Sequence, residues 1–124
     1  MKFTFKKAER LVSEKIIKEL FANSSSFALY PFKVLYIKQE TAQISPVQAL
    51  FVAPKRAFKK AVDRNTIKRR MKEAYRLQKP TFYSQLSDQK ISLAFVYIGK
   101  EIHNYKTFEK GMNKALLRIV NSLI

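Results

Sequence analysis

The chain has 124 residues, in which 25 Lys and Arg outnumber 9 Asp and Glu for a formal net charge of +16. This length predicts a single domain, residues 1–124, with one hydrophobic core, and the 47% hydrophobic content excludes a wholly disordered basic tail. The absence of cysteine excludes a disulfide scaffold and a thiolate metal site. Such an excess of positive charge favours a polyanionic partner, either nucleic acid or an acidic membrane surface.

No targeting or membrane segment is predicted. The basic and aromatic residues 1–7 are not followed by the apolar run and small-residue cleavage site of a signal peptide. No uninterrupted apolar stretch approaches the roughly 20 residues that a membrane-spanning helix needs. We therefore expect a soluble, cytoplasmic protein with no membrane partner.

The first half of the chain predicts one helix and two strands. Apolar residues recur at helical spacing over residues 8–22 and stop at the polar residues 23–26. Residues 27–38 are rich in aromatic and β-branched side chains and predict a strand that Pro31 breaks early. Residues 47–53 are nearly all apolar, as in a strand covered on both faces. A short extra strand at Phe3–Phe5 is a further expectation.

The second half predicts a long helix, a strand and a final helix. The long helix starts at Ala61, and a looser connection containing Pro80 follows over residues 78–89. Residues 91–98 predict a strand, and Asn104 is placed to cap a helix over 105–123. The order α-β-β-α-β-α predicts the α+β class, with helices packed on a sheet of about three or four strands.

The most unusual stretch is residues 55–79, where eleven cations accompany two acids. On the predicted helix, cations recur at i+4 and so occupy one face, with Asn65 and Arg69 on the same side. These cations are Arg64, Lys68, Lys72 and Arg76. Like charges at this spacing repel by a few tenths of a kcal/mol per pair. Because such a row weakens its own helix, it indicates a phosphate-bearing partner rather than a solvated face alone. The opposite arc, predicted to be buried, consists of Ile67, Met71, Ala74 and Tyr75.

The residues that protein catalysts use are scarce. His103 is the single histidine and lies beside a predicted turn, without a cysteine or second histidine to form a metal site or a nucleophile–base pair. The acids are scattered singly and show no spacing typical of a two-metal nuclease. The two glycines form no phosphate-binding loop. We therefore predict that the chain alone has no catalytic residue, no metal site and no small-molecule substrate.

The segment AVDRNTIKRRMKEAYR resembles the signature helix of the protein subunit of bacterial ribonuclease P. The matching residues are Ala61, Val62, Arg64, Asn65, Lys68, Arg69 and Lys72. The resemblance extends to Arg10 and Leu11, to a following helix that ends at Phe21, and to the order of elements. The chain departs from the family pattern at three positions. Thr66 replaces a frequent Arg, Lys59 replaces the usual Gly, and Ala57 replaces a frequent Lys.

This resemblance implies a fold and a function. The fold would be the ribosomal S5 domain 2-like sandwich with a left-handed βαβ crossover. The protein would bind a catalytic RNA that, with Mg²⁺, removes the 5′ leader from precursor tRNA. The resemblance implies that Arg64, Asn65, Lys68, Arg69 and Lys72 bind RNA, and the basic stretch adds Arg56, Lys60 and Arg76 to the predicted RNA-binding residues. The implied leader-binding residues, in a cleft between the first helix and the sheet, are Ile17, Phe21 and Tyr36.

Other functions fit part of the pattern. A ribosomal-type structural RNA-binding protein shares the charge and size and would have no role in cleavage. A double-stranded DNA-binding module would use the basic helix for recognition, but no helix-turn-helix spacing precedes that helix. A membrane-surface role is least favoured, because the basic helix lacks a broad apolar face with Trp or Leu anchors.

Overall fold

The computed structural model describes residue 5 and residues 7–39, 46–86 and 89–123. A 3₁₀ turn at Lys7–Glu9 precedes three helices and four strands. In chain order these are α1 (Glu14–Asn23), β1 (Ser25–Leu29), β2 (Phe32–Lys38), β3 (Val47–Val52), α2 (Ala61–Gln85), β4 (Ile91–Tyr97) and α3 (Tyr105–Leu123). The predicted α+β class is confirmed, and the chain has one more strand than the predicted order.

The extra strand arises because the predicted strand over residues 27–38 is a hairpin. It turns at Tyr30 and Pro31, which are joined by a cis peptide bond. The two arms pair antiparallel as β1 and β2, with Phe27 opposite Val34. Aromatic and β-branched residues continue on both sides of Pro31, so composition alone does not separate the arms.

The four strands form one mixed sheet in the order β1-β2-β4-β3. β4 pairs antiparallel with β2 and parallel with β3, and Phe95 of β4 lies opposite both Val34 and Phe51. The segment β3-α2-β4 is therefore a βαβ unit whose two strands are direct neighbours. Its left-handed crossover stays a prediction from the family.

Side-chain alternation gives the sheet two differently covered faces. The larger core lies between one face and helices α2 and α3, and includes Phe51, Phe95 and Phe108. On the other face, Leu20 of α1 packs with Leu35 in a smaller cluster. The fold is thus a sheet between two helical layers, of which the α1 layer is much the smaller.

Helix α1 begins later than residue 8, where its apolar spacing predicts it. Before the helix, Arg10 forms a parallel β-bridge with Ala49, and the Leu11 amide donates to the Ala49 carbonyl at 3.0 Å. This segment therefore extends along the edge of β3. Ser13 then caps the helix, accepting from the Ile16 amide at 3.4 Å.

Helix α2 continues to Gln85, so the predicted loose connection over residues 78–89 is wrong. Pro80 lies inside the helix, where proline removes one backbone hydrogen bond and costs about 3 kcal/mol. The last turns bury Phe82 and Leu86, each 2% exposed. They also place Lys79 beside Glu9. These tertiary contacts offset the proline, and they are invisible to local propensity.

The end of the chain follows the prediction closely. The strand predicted over residues 91–98 is β4, and the last helix has the predicted bounds. The Asn104 side chain caps α3 by accepting from the Thr107 amide at 3.1 Å. The predicted strand at Phe3–Phe5 lies outside the described residues except for Phe5, which belongs to no strand.

A buried ion pair joins the start of the chain to α2. The Lys79 ammonium lies 3.0 Å from Glu9 Oε1, and the Tyr83 hydroxyl donates to Glu9 Oε2 at 2.9 Å. The Lys79 and Glu9 side chains are only 5% and 8% exposed. Removing one charge from such a pair leaves the other buried and uncompensated.

We expect Glu9→Gln to lower the free energy of unfolding by about 3–5 kcal/mol, because the Lys79 ammonium then remains buried without its counter-charge. Urea denaturation followed by circular dichroism measures this. The matched variant Glu9→Gln/Lys79→Met removes both charges and should regain most of the loss. Equal stability of the single and double variants would contradict the interpretation.

Candidate nucleic-acid interface

The predicted RNA-binding residues all lie on the first five turns of α2 or in the segment that leads into it. Arg56, Lys60, Asn65, Arg69 and Lys72 are exposed, and Arg64, Lys68 and Arg76 are partly exposed. The opposite arc of the helix is buried as predicted, and its residues Ile67, Met71, Ala74 and Tyr75 are each 0% exposed. We call the exposed side of these turns, with Arg56 and Lys60, the α2 basic surface.

Arg64 also shapes the segment that leads into α2. In that segment the Pro54 carbonyl accepts from the Phe58 amide at 3.0 Å, and the Phe58 ring is buried against Tyr97. One guanidinium nitrogen of Arg64 donates to the carbonyls of Phe58 and Lys59, at 2.8 and 2.9 Å. Arg64 therefore holds the turn as well as carrying charge. Helical periodicity cannot predict this role, because the acceptors precede the helix.

Three other cations of the basic stretch are engaged by groups of the protein itself. Arg76 Nε donates to Glu73 Oε2 at 2.9 Å, and this hydrogen bond lowers the pKa of Glu73. Arg70 donates to the His103 carbonyl at 2.5 Å. Lys79 belongs to the basic stretch in the sequence, but its side chain is buried against Glu9. The basic surface is therefore smaller than the sequence indicates.

The remaining cations of the α2 basic surface keep their charge available. No carboxylate of the described residues forms an ion pair with Arg56, Lys60, Lys68, Arg69 or Lys72. Their mutual repulsion is not relieved within the described part of the chain. An anion that touches several of them would relieve it, which is the electrostatic property expected of a phosphate-binding surface.

Thr66 occupies a position where many members of the resembled family have arginine. Its hydroxyl donates to the Val62 carbonyl one turn earlier, at 3.0 Å. Thr66 is thus satisfied by its own helix and presents no charge. Lys59, the other departure from the family pattern, is exposed in the lead-in segment.

The predicted leader-binding residues do not form one site. Ile17 packs against the small cluster on the α1 face of the sheet. Phe21 lies one helical turn further along the same side of α1 and is 52% exposed. Tyr36 packs against the larger core on the opposite sheet face, edge-to-face with Phe27 at 6.1 Å between ring centroids. Placing Tyr36 in the cleft beside α1 is therefore wrong, because alternate strand residues point to opposite faces.

Two sheet residues that the sequence analysis missed line the α1 face with Ile17. Leu50 of β3 and Val96 of β4 are half-buried and pack against the same small cluster. Each follows a residue of the larger core, Ala49 or Phe95, so strand alternation turns it to the opposite face, but both neighbours are apolar and the sequence pattern gave no signal. The α1 face therefore carries a half-buried apolar patch, and the exposed Phe21 ring lies one turn beyond Ile17 on α1.

His103 lies in the turn before α3, as predicted. Its Nε2 is 2.7 Å from the Tyr30 hydroxyl, and its amide donates to the Tyr97 hydroxyl at 3.2 Å. Burial raises the pKa of Tyr97.

Across the described ranges, no three His, Asp or Glu side chains gather closely enough to hold a metal ion.

The sequence as a whole matches a known family. A sequence profile for ribonuclease P matches residues 5–120. The chain belongs to the ribonuclease P protein family. The family resemblance of the basic helix is thereby confirmed, and membership makes the chain a subunit of an endoribonuclease that processes tRNA. In the part of the chain that the structure describes, no helix is long and apolar enough to cross a membrane.

Individual ribonuclease P proteins support this assignment. The chain is 32% identical over 123 residues to the ribonuclease P protein component of Porphyromonas gingivalis W83, covering 98% of this chain and 90% of that protein. It is 44% identical over 64 residues to the protein component of Chlorobaculum tepidum, covering 47% of this chain and 42% of that protein.

Solved ribonuclease P proteins share the fold. The Thermotoga maritima protein superposes with a TM-score of 0.70 at 21% identity, covering 89% of this chain and 96% of that chain. The Staphylococcus aureus protein gives a TM-score of 0.68 at 19% identity, covering 95% and 100%. The order of helices and strands described above is thus that of ribonuclease P proteins.

Arg64→Lys should loosen the lead-in segment while keeping the positive charge, because an ammonium cannot reproduce the guanidinium hydrogen bonds to the Phe58 and Lys59 carbonyls. We expect faster trypsin cleavage after the exposed Lys55, Arg56, Lys59 and Lys60, measured by limited proteolysis and mass spectrometry. Arg69→Lys, on the same helix, is the control and should cleave as the wild type does. Unchanged cleavage of Arg64→Lys would show that Arg64 contributes positive charge but does not hold the lead-in segment.

Proposed function

We propose that the protein binds the catalytic RNA of ribonuclease P through the α2 basic surface and assists removal of the 5′ leader from precursor tRNA. The observation that carries this proposal is the row of exposed cations without described ion-pair partners, in a chain of this family. Arg56, Lys60, Lys68, Arg69 and Lys72 are placed to contact phosphates. Asn65 adds a hydrogen-bonding side chain to the same surface.

The α2 basic surface does not fit a metal ion. Mg²⁺ takes oxygen ligands, whereas this surface consists largely of cations that repel it. We therefore propose that Mg²⁺ and the hydrolytic step belong to the RNA, and that the protein contributes affinity and positioning. Phosphate contacts neutralise charge and fix the register of the bound RNA without reading its bases.

The apolar patch beside α1 is the proposed site for the single-stranded leader. Ile17, Leu50 and Val96 provide an apolar floor, and the exposed Phe21 ring provides a stacking surface. Stacking of an unpaired base on an aromatic ring is worth about 1–3 kcal/mol and is tolerant of sequence. A leader held there would distinguish precursor from mature tRNA, since only the precursor carries one. Tyr36 has no part in this patch.

The decisive experiment reconstitutes the complex. The protein is mixed with a bacterial ribonuclease P RNA and 5′-labelled precursor tRNA at low Mg²⁺, where the RNA alone is slow. We expect cleavage at the mature 5′ end that requires the RNA. Tight RNA binding without stimulation of cleavage would support the ribosomal-type structural role instead.

Lys68→Gln/Lys72→Gln should weaken binding to the catalytic RNA and flatten its salt dependence. Loss of two phosphate contacts lowers the slope of log K against log salt by about 1.4–1.8. Filter binding over a range of KCl concentrations measures this slope. The control Lys15→Gln/Lys100→Gln removes equal charge from exposed positions outside α2 and should change the slope little. Equal slopes for both variants would remove Lys68 and Lys72 from the interface.

Phe21→Ala should reduce the preference of the reconstituted enzyme for precursor over mature tRNA by about 5- to 150-fold, the equivalent of one lost stacking contact. Because Phe21 is half exposed, the fold should persist. Affinity for the catalytic RNA alone serves as the internal control and should not change. Parallel loss of both affinities would contradict a leader-specific role for Phe21.

A further inference from the structure

Helix α3 carries a second row of cations at i+4 spacing. The row consists of Lys106, Lys110, Lys114 and Arg118, all of them exposed. Each i,i+4 pair repels and weakens α3 by a few tenths of a kcal/mol. No described carboxylate forms an ion pair with any of the four. This row, which we call the α3 basic surface, therefore repeats the electrostatic arrangement that distinguishes α2.

The two basic surfaces lie on different helices of the helical layer. α2 contacts β3, α3 contacts β1, and these strands are the two edges of the sheet. Between the helices is a groove lined by Leu77 and Leu117, with Lys110 on its α3 side and no cation of the α2 basic surface in its lining. A helix with its side chains is about 10–12 Å wide, so the two surfaces are at least about that far apart. A single RNA backbone segment on α2 would leave the α3 row uncovered.

Aromatic side chains accompany the end of the α3 row. The Arg118 guanidinium lies over the Phe27 ring, 4.5 Å from its centroid. Phe27 is half-buried and packs edge-to-face against the half-buried Tyr36. A guanidinium stacked on an aromatic ring is held in place while its edge N–H groups remain available to an anion. Arg118 is therefore pre-oriented, unlike a mobile solubilising lysine.

We propose that the α3 basic surface is a second RNA-binding surface, which takes the phosphodiester backbone of an RNA segment other than the one on α2. The proposal rests on the proposed function, because the occupant is an RNA of the same complex. Cations in a row suit a phosphate backbone, and the Phe27–Tyr36 pair beside Arg118 suits ribose or an unpaired base. The protein then bridges two RNA segments across its helical layer.

The source of this RNA is either the catalytic RNA or the precursor tRNA, which share phosphate chemistry. The test variant is Lys110→Gln/Lys114→Gln, whose exposed side chains make no described ion pair. The control is Lys15→Gln/Lys100→Gln, with equal loss of charge. Circular dichroism confirms folding of both. Binding is measured over a range of KCl concentrations, first to the catalytic RNA alone and then to precursor tRNA by the assembled complex.

We expect the α3 variant to lose about 1.4–1.8 from the salt slope for one of these two RNAs, and the control to lose little. A smaller salt slope in the binding of catalytic RNA to the protein assigns the surface to that RNA. A smaller slope seen only when the assembled complex binds precursor tRNA assigns it to the substrate. Either result supports the inference. Arg118→Lys should weaken binding of the same RNA, because lysine keeps the positive charge but lacks the planar guanidinium and its paired N–H donors.

Two other results separate the possible failures. If the α3 variant matches its control with both RNAs while Lys68→Gln/Lys72→Gln still loses slope, the α3 surface is only a solvated face. The inference is then overturned and the proposed function stands. If the wild-type protein binds neither RNA with salt-dependent affinity, the proposed function fails and the second surface fails with it.

Discussion

Burial of the apolar arc of α2 against the sheet is the interaction on which the rest of the structure depends. Ile67, Met71, Ala74 and Tyr75 are inaccessible to solvent, and burying each of the large side chains stabilises the fold by about 1.5–3 kcal/mol. The repulsion within the cationic row costs a few tenths of a kcal/mol per pair. Because burial outweighs repulsion, α2 remains a helix while presenting a surface that favours anions.

The fate of each cation depends on its surroundings in the fold. Lys79 is buried against Glu9, Arg70 holds a loop carbonyl, and Arg64 ties down the lead-in segment. Lys68 and Lys72 lie on the same helix, and no described group neutralises them. A chain with this net charge thus uses some of its cations to organise the fold and leaves others without a described counter-charge. Counting charges in the sequence overestimates the basic surface for that reason.

The sheet separates the proposed functions of its two faces. The α1 face is covered only by α1 and a small apolar cluster, whereas the other face carries the two long helices with their cationic rows. Strand alternation makes this separation strict, and it places Tyr36 with Phe27 and Arg118 rather than with Ile17. An RNA complex that surrounds the protein would meet different chemistry on each side.

Local pattern was sufficient to predict α3, β4, the buried arc of α2 and the face of its cations, because each depends on periodicity and on capping by nearby residues such as Asn104. It failed at Pro80, because the burial of Phe82 and Leu86 and the Lys79–Glu9 pair stabilise the helix beyond the proline. It also failed for the trio of Ile17, Phe21 and Tyr36, whose sides of the sheet depend on how strands and α1 pack. The sequence by itself determined which side chains are apolar, which are charged and at what spacing. Only the tertiary structure decided which charges are neutralised and which face each aromatic ring joins, because those outcomes depend on residues far apart in the chain.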